Sequence, residues 1–178
     1  MPRTLMAALL SLFGWATAGD LKEGVKAPLF EARDQHGALI RLADFREKSI
    51  VVLYFYPKDD TPGCTAQACS LRDGYGALKA ADAVVLGVSA DDQDSHESFA
   101  KKFSLPFSLL VDTDRAIITA YGVKMPLLGM AKRVTFIIDR QGVIRRILRE
   151  IDTRKHDQQV LEVLKTLEPL GPPSSPKG

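Results

Sequence analysis

At 178 residues, with 46% hydrophobic and 26% charged side chains, the chain has the length of one domain and enough apolar content for a packed core, which excludes disordered, collagen-like and fibrous architectures. A formal net charge of +2 supplies no basic field, so nucleic-acid binding has no electrostatic support. Two cysteines, Cys64 and Cys69, are too few for a disulfide scaffold or a thiol-rich zinc site, and they need another explanation.

Residues 1–18 differ from all that follow. Arg3 precedes the uncharged, Leu- and Ala-rich run Thr4–Trp15, and Ala16-Thr17-Ala18 matches the small-x-small pattern of signal cleavage. The run stops short of the ~20 apolar residues that cross a bilayer as a helix. It is read as a cleaved export signal, with the periplasm as the expected compartment; the alternative is a membrane anchor through residues 4–18. Loss of Arg3 takes the 24 basic side chains to 23, against 22 acidic ones. Residues 19–168 are expected to form the single domain, and the Pro-, Gly- and Ser-rich segment 169–178 a loose tail.

Within the body, Phe30–Asp34 and Leu39–Arg41 flank a Gln-His-Gly turn and predict a short hairpin. The apolar, β-branched and aromatic run Ser49–Tyr56 predicts a strand buried on both faces. After the turn-rich segment Lys58–Gly63, the pattern is helical from Cys64 to Ala81. A second buried strand is expected over Ala83–Ser89, and an amphipathic helix over Asp91–Phe103 with Asp91 or Asp92 as its cap. Ser108–Asp112 reads as a strand and Thr113–Tyr121 as a short helix. Arg133–Ile138 and Val143–Leu148 make an antiparallel hairpin, and Lys155–Leu167 a closing helix. Alternating strands and helices, then a hairpin and a helix, predict a three-layer α/β sandwich around a mixed sheet, with a thioredoxin-like placement of the cysteines.

The chemistry concentrates in Pro57-Lys-Asp-Asp-Thr61-Pro-Gly-Cys64-Thr-Ala-Gln-Ala-Cys69. Thr61 suits a helix cap and Pro62 the first helical position, which puts Cys64 in the first turn. Unpaired N–H groups and the helix dipole there favour negative charge, the condition for a nucleophilic thiolate. The Thr61 hydroxyl, the N–H groups of Gly63 and Cys64 and an arginine are candidates for stabilising charge on the reacting oxygens. The cysteine spacing is wider than the C-x-x-C of ordinary dithiol oxidoreductases.

Pro57-x-x-x-Thr61-x-x-Cys64 resembles the active-site motif of the peroxiredoxins, and the fuller run Tyr54–Cys69 is similar to that of the peroxiredoxin Q subfamily, also called bacterioferritin comigratory protein. The likeness extends from about Gly24 to Leu167 and includes Arg133, which matches the family's active-site arginine. It implies a thioredoxin-like fold and a thiol-dependent peroxidase acting on hydrogen peroxide and organic hydroperoxides. By the same resemblance Cys64 attacks the peroxide, Pro57 shields the site, and Thr61 and Arg133 hold the peroxide and the thiolate. Cys69 resolves the sulfenic acid as an intramolecular disulfide, and a thioredoxin-like dithiol recycles it. No cofactor and no metal are called for, and a monomer is the expected state. Positions five apart on a helix have Cα atoms about 8–9 Å apart, whereas a disulfide needs less than about 7 Å. The turn between the cysteines is therefore expected to unwind in each cycle. Two other readings stand beside this one: a thioredoxin-like disulfide reductase, and an exported copper-binding protein of the same fold.

Other residues carry plainer expectations. Asp59 and Asp60 read as solvated loop charges, His36, His96 and His156 as surface residues, and the charged run Arg145–Arg154 as solvent-facing. Phe55 and Tyr56 are expected in the core. The apolar segment Met125–Met130 departs from the family pattern, and either shapes access for bulky peroxides or is an ordinary packed loop.

Overall fold

The computed structural model describes residues 21–167. The readings made of segments 1–18 and 169–178 fall outside the described residues. The expected hairpin is present as β1 (Glu31–Arg33) and β2 (Leu39–Arg41), paired antiparallel. Five further strands form one mixed sheet: β3 (Ile50–Phe55), β4 (Ala83–Ser89), β5 (Ser108–Val111), β6 (Val134–Ile138) and β7 (Ile144–Leu148), in the order β5-β4-β3-β6-β7. β3 lies parallel to β4 and antiparallel to β6 in the middle of the sheet, and it is buried on both faces, as its continuous apolar sequence requires.

The period of two along β3 divides the interior into two cores. Val51, Leu53 and Phe55 pack with Val88, Phe136 and Ile138 against Ile117, Ile118 and Tyr121. Val52, Tyr54 and Tyr56 pack on the other face with Ala68, Leu71, Phe99, Val160 and Leu164. Each large apolar side chain so buried stabilises the fold by about 1.5–3 kcal/mol. The helices are α1 (Pro62–Asp73), α2 (Tyr75–Ala80), α3 (Gln93–Phe103), α4 (Ala116–Ala120) and α5 (His156–Thr166). α1, α2, α3 and α5 cover one face of the sheet, while α4 and the β1–β2 hairpin cover the other, completing the three layers. Among the described residues no helix is long and apolar enough to cross a membrane.

Two features depart from the sequence expectations. The single helix expected over 64–81 is divided at Gly74, where α5 crosses so closely that an added Cβ would lie 2.5 Å from the Cβ of Asp157. The histidines divide as well: His36 is exposed, but His96 and His156 are fully buried. The His156 Nε2 pairs with Thr135 Oγ1 on β6 at 3.0 Å, and its Nδ1 lies 3.4 Å from Gln159 Oε1. A polar side chain buried with partners of this kind ties elements together.

Burial, with a smaller contribution from the Arg133 charge, lowers the His156 imidazole to about 4 from its ordinary 6.5. The folded protein keeps this ring neutral at pH values where the unfolded chain takes up a proton. The associated stability is full above the unfolded value and is lost as the pH falls towards the folded one. Linkage sets that loss at about 2 kcal/mol by pH 5. Urea midpoints measured at pH 7 and pH 5 should therefore fall further for the wild type than for His156→Gln; equal falls would refute this role for His156.

Candidate active site

The site forms where β3 ends. Its antiparallel neighbour β6 begins at that level, with Val134 opposite Phe55, so Arg133 enters beside the segment that follows β3. That segment runs through half-buried Pro57 and the Lys58–Asp60 turn into α1. Pro62 occupies the first helical position and Thr61 the cap position, with extended backbone at φ −93° and ψ 152°. The expected side-chain cap is not made; the Thr61 hydroxyl donates instead to the Lys58 carbonyl at 2.9 Å. The main chain compensates in part: Thr65 N–H donates to Thr61 O at 2.8 Å, the first helical hydrogen bond. The N–H groups of Gly63 and Cys64 precede that bond and lie at the positive end of the helix.

Cys64 is a free thiol, 2% exposed, with its Sγ 3.4 Å from Arg133 Nη2. The Nη1 of Arg133 donates to Gln67 Oε1. Gly63 leaves room for this arrangement, since a Cβ there would lie 3.2 Å from Arg133 Nη2. Cys64 and Arg133 come together across 69 positions of sequence. A guanidinium at this distance offers further donors to an oxygen bound beside the sulfur. Cys69 is also a free thiol, half-buried, on the same helix.

Several residues escaped the sequence reading. Gln67, fully buried, lies one helical turn beyond Cys64 and orients the arginine. Its i+3 spacing is the signal that could have found it. Asp59 is not a solvated loop charge. It is buried and accepts from Tyr56 Oη at 2.7 Å, Ser95 Oγ at 2.8 Å and His96 Nδ1 at 2.8 Å. The His96 Nε2 lies 3.1 Å from Leu110 O, so both ring nitrogens face acceptors. The backbone N–H of Asp59 donates to Asp91 Oδ2 at 2.9 Å, which leaves Asp92 as the cap of α3 through Ser95 N–H. This network joins the loop before Cys64 to β3, β5 and α3.

Asp60, by contrast, is exposed and pairs with Lys102 at 2.7 Å. Beneath α1, burial first, then the Asp59 charge and the two cysteines, holds the Tyr54 phenol well above its ordinary range, so it stays neutral. The segment Met125–Met130 closes as a turn through Met125 N–H to Met130 O at 2.8 Å. It is not a packed loop at its tip, where Leu127 is 97% exposed. Arg145, Arg146, Arg149 and Arg154 face solvent, and Phe55 and Tyr56 lie in the core, as expected.

The AhpC/TSA family matches residues 24–147. The chain is 41% identical over 170 residues to a chloroplastic peroxiredoxin Q of Oryza sativa subsp. japonica, covering 93% of this chain and 78% of that one. The chain belongs to the AhpC/TSA family, in its peroxiredoxin Q branch. Solved structures agree. Peroxidoxin BcpB of Mycobacterium tuberculosis superposes with a TM-score of 0.78 at 32% identity, over 84% of this chain and 99% of that one. A peroxiredoxin Q of Xanthomonas campestris gives 0.73 at 29%, over 81% and 98%. The thioredoxin-like fold and a thiol-dependent peroxidase activity follow from this membership, and the disulfide-reductase and copper-binding readings are not favoured.

Proposed function

We propose that the protein reduces hydrogen peroxide and organic hydroperoxides at Cys64, with Cys69 as its resolving partner. The observation that carries this is the reduced Cys64 sulfur in the first turn of α1, 3.4 Å from Arg133 Nη2. The thiolate attacks one peroxide oxygen, the O–O bond breaks, and sulfur keeps that oxygen as a sulfenic acid. The departing hydroxide or alkoxide leaves as water or alcohol after taking a proton. Arg133, fixed by Gln67, stabilises the negative charge that develops on the oxygens. The Thr61 hydroxyl is a second polar contact for the peroxide, and Pro57 limits water at the sulfur.

The Cys69 thiol then condenses with the sulfenic acid, forming the Cys64–Cys69 disulfide and releasing water. Both cysteines belong to one helix, so α1 must open between them. A thioredoxin-like dithiol supplies the two electrons and two protons that restore both thiols. The test is Cys69→Ser, with turnover measured under excess dithiol and the products of a single peroxide pulse read on reduced protein from which the dithiol has been removed. The wild type should turn over and show the Cys64–Cys69 disulfide by mass spectrometry. The variant should consume one equivalent rapidly and hold a sulfenic acid that a 1,3-diketone traps at Cys64. A variant that leaves no trapped Cys64 adduct would refute the assignment.

A further inference from the structure

Disulfide formation requires the helix to open on the Cys69 side as well as at Cys64, because positions five apart are rotated by about 140° around the axis. The next residue, Ser70, is buried and makes a reciprocal pair with α5. Its Oγ donates to Asp157 Oδ1 at 2.7 Å and accepts from Asp157 N–H at 3.1 Å. One turn later, Gly74 packs against the same aspartate, so this side of α1 is pressed onto α5 at two successive levels. Asp157 sits on a fixed support. His156 is tied to Thr135 of β6, and Gln159 accepts from Asp152 N–H and donates to Glu150 O, both at 3.1 Å.

We propose that the Ser70–Asp157 pair governs how readily α1 opens, which makes both residues positioning residues for the resolving step; the inference rests on the reaction proposed above. Ser70 is bonded directly to Cys69, and its hydroxyl meets Asp157 while its backbone is helical. Opening through Cys69 removes the helical hydrogen bonds that hold Ser70 in that conformation, so the pair breaks with each opening. A hydrogen bond to a carboxylate is among the stronger ones, and its loss raises the open population. The pair therefore sets a race. A slow opening leaves the Cys64 sulfenic acid exposed to a second peroxide, which transfers one more oxygen to give sulfinic acid and releases water or alcohol.

The experiment uses the full-length reduced protein, pulsed with hydrogen peroxide, quenched by alkylation and read by mass spectrometry. Ser70→Ala and Asp157→Ala should form the disulfide three- to tenfold faster and accumulate less sulfinic acid. The rate of first-equivalent peroxide consumption should not change. Asp157→Asn keeps both hydrogen bonds but with a neutral acceptor, and should fall between the wild type and Asp157→Ala. Disulfide formation in Ser70→Ala at or below the wild-type rate would overturn the proposal, as would Asp157→Asn behaving like Asp157→Ala. Failure of the wild type itself to form the Cys64–Cys69 disulfide would overturn the underlying reaction, and this inference with it.

Discussion

Cys64→Ser should reduce peroxide consumption to the level of the dithiol alone, a loss on the order of a thousandfold or more. The serine oxygen would stand where the sulfur stands, beside Arg133 and at the start of α1. Position is not what the reaction lacks in that variant. An alcohol keeps its proton near neutrality, and its oxygen is a poor nucleophile towards another oxygen. The charge stabilisation that Arg133 provides has nothing to act on without an anionic nucleophile. Arg133→Ala is the informative contrast: it leaves the sulfur and should lose about a hundredfold in the second-order rate with peroxide. The measurement is peroxide consumption under pseudo-first-order conditions. More than a hundredth of the wild-type rate in Cys64→Ser would exclude Cys64 as the reacting group.

Asp59→Ala should destabilise the fold by about 3–5 kcal/mol, because three buried or partly buried donors lose their shared acceptor at roughly 1–3 kcal/mol each. The buried carboxylate is the shared acceptor for Tyr56, Ser95 and His96. Burial and the Asp59 charge together hold the Tyr56 phenol well above its ordinary range, so it remains a neutral donor seeking that oxygen. In a chain of this size the loss corresponds to a melting temperature lower by roughly 6–20 °C. Catalysis should fall too, because the same carboxylate fixes the loop that leads into α1. Asp60→Asn is the control. The exposed pair that Asp60 makes with Lys102 is worth at most about 1 kcal/mol, and Asn tolerates the positive φ of 54° at that position. Thermal unfolding of the reduced variants checks both, and an Asp59→Ala protein within about 1 kcal/mol of wild type would show that the network carries no such energy.

The parts of this protein that were legible in its sequence share a local cause. β3 and β4 are buried on both faces, which demands continuous apolar runs, and those runs stand out without any knowledge of neighbours. Thr61, Pro62 and Cys64 are placed by the rules of a helix start, which act within a few residues. Arg133 is different in kind. Nothing in its own surroundings distinguishes it from a surface arginine, and it was reached through the resemblance of the whole motif.

The remainder depended on contacts between distant segments. Gly74 within a helical pattern is compatible with a continuous helix or a break, and the approach of Asp157 from α5 decides for the break. Asp59 and His96 are separated by 37 positions and His156 and Thr135 by 21. Polar side chains read as exposed when taken singly, because burial is costly unless a partner is supplied. Only folding brings those partners within 3 Å. The chain's own residues thus determined which strands are central and which sulfur begins the helix, since periodicity and capping are short-range. Tertiary structure alone decided which polar groups are buried and what holds α1 in place, since each partner comes from another element of the fold.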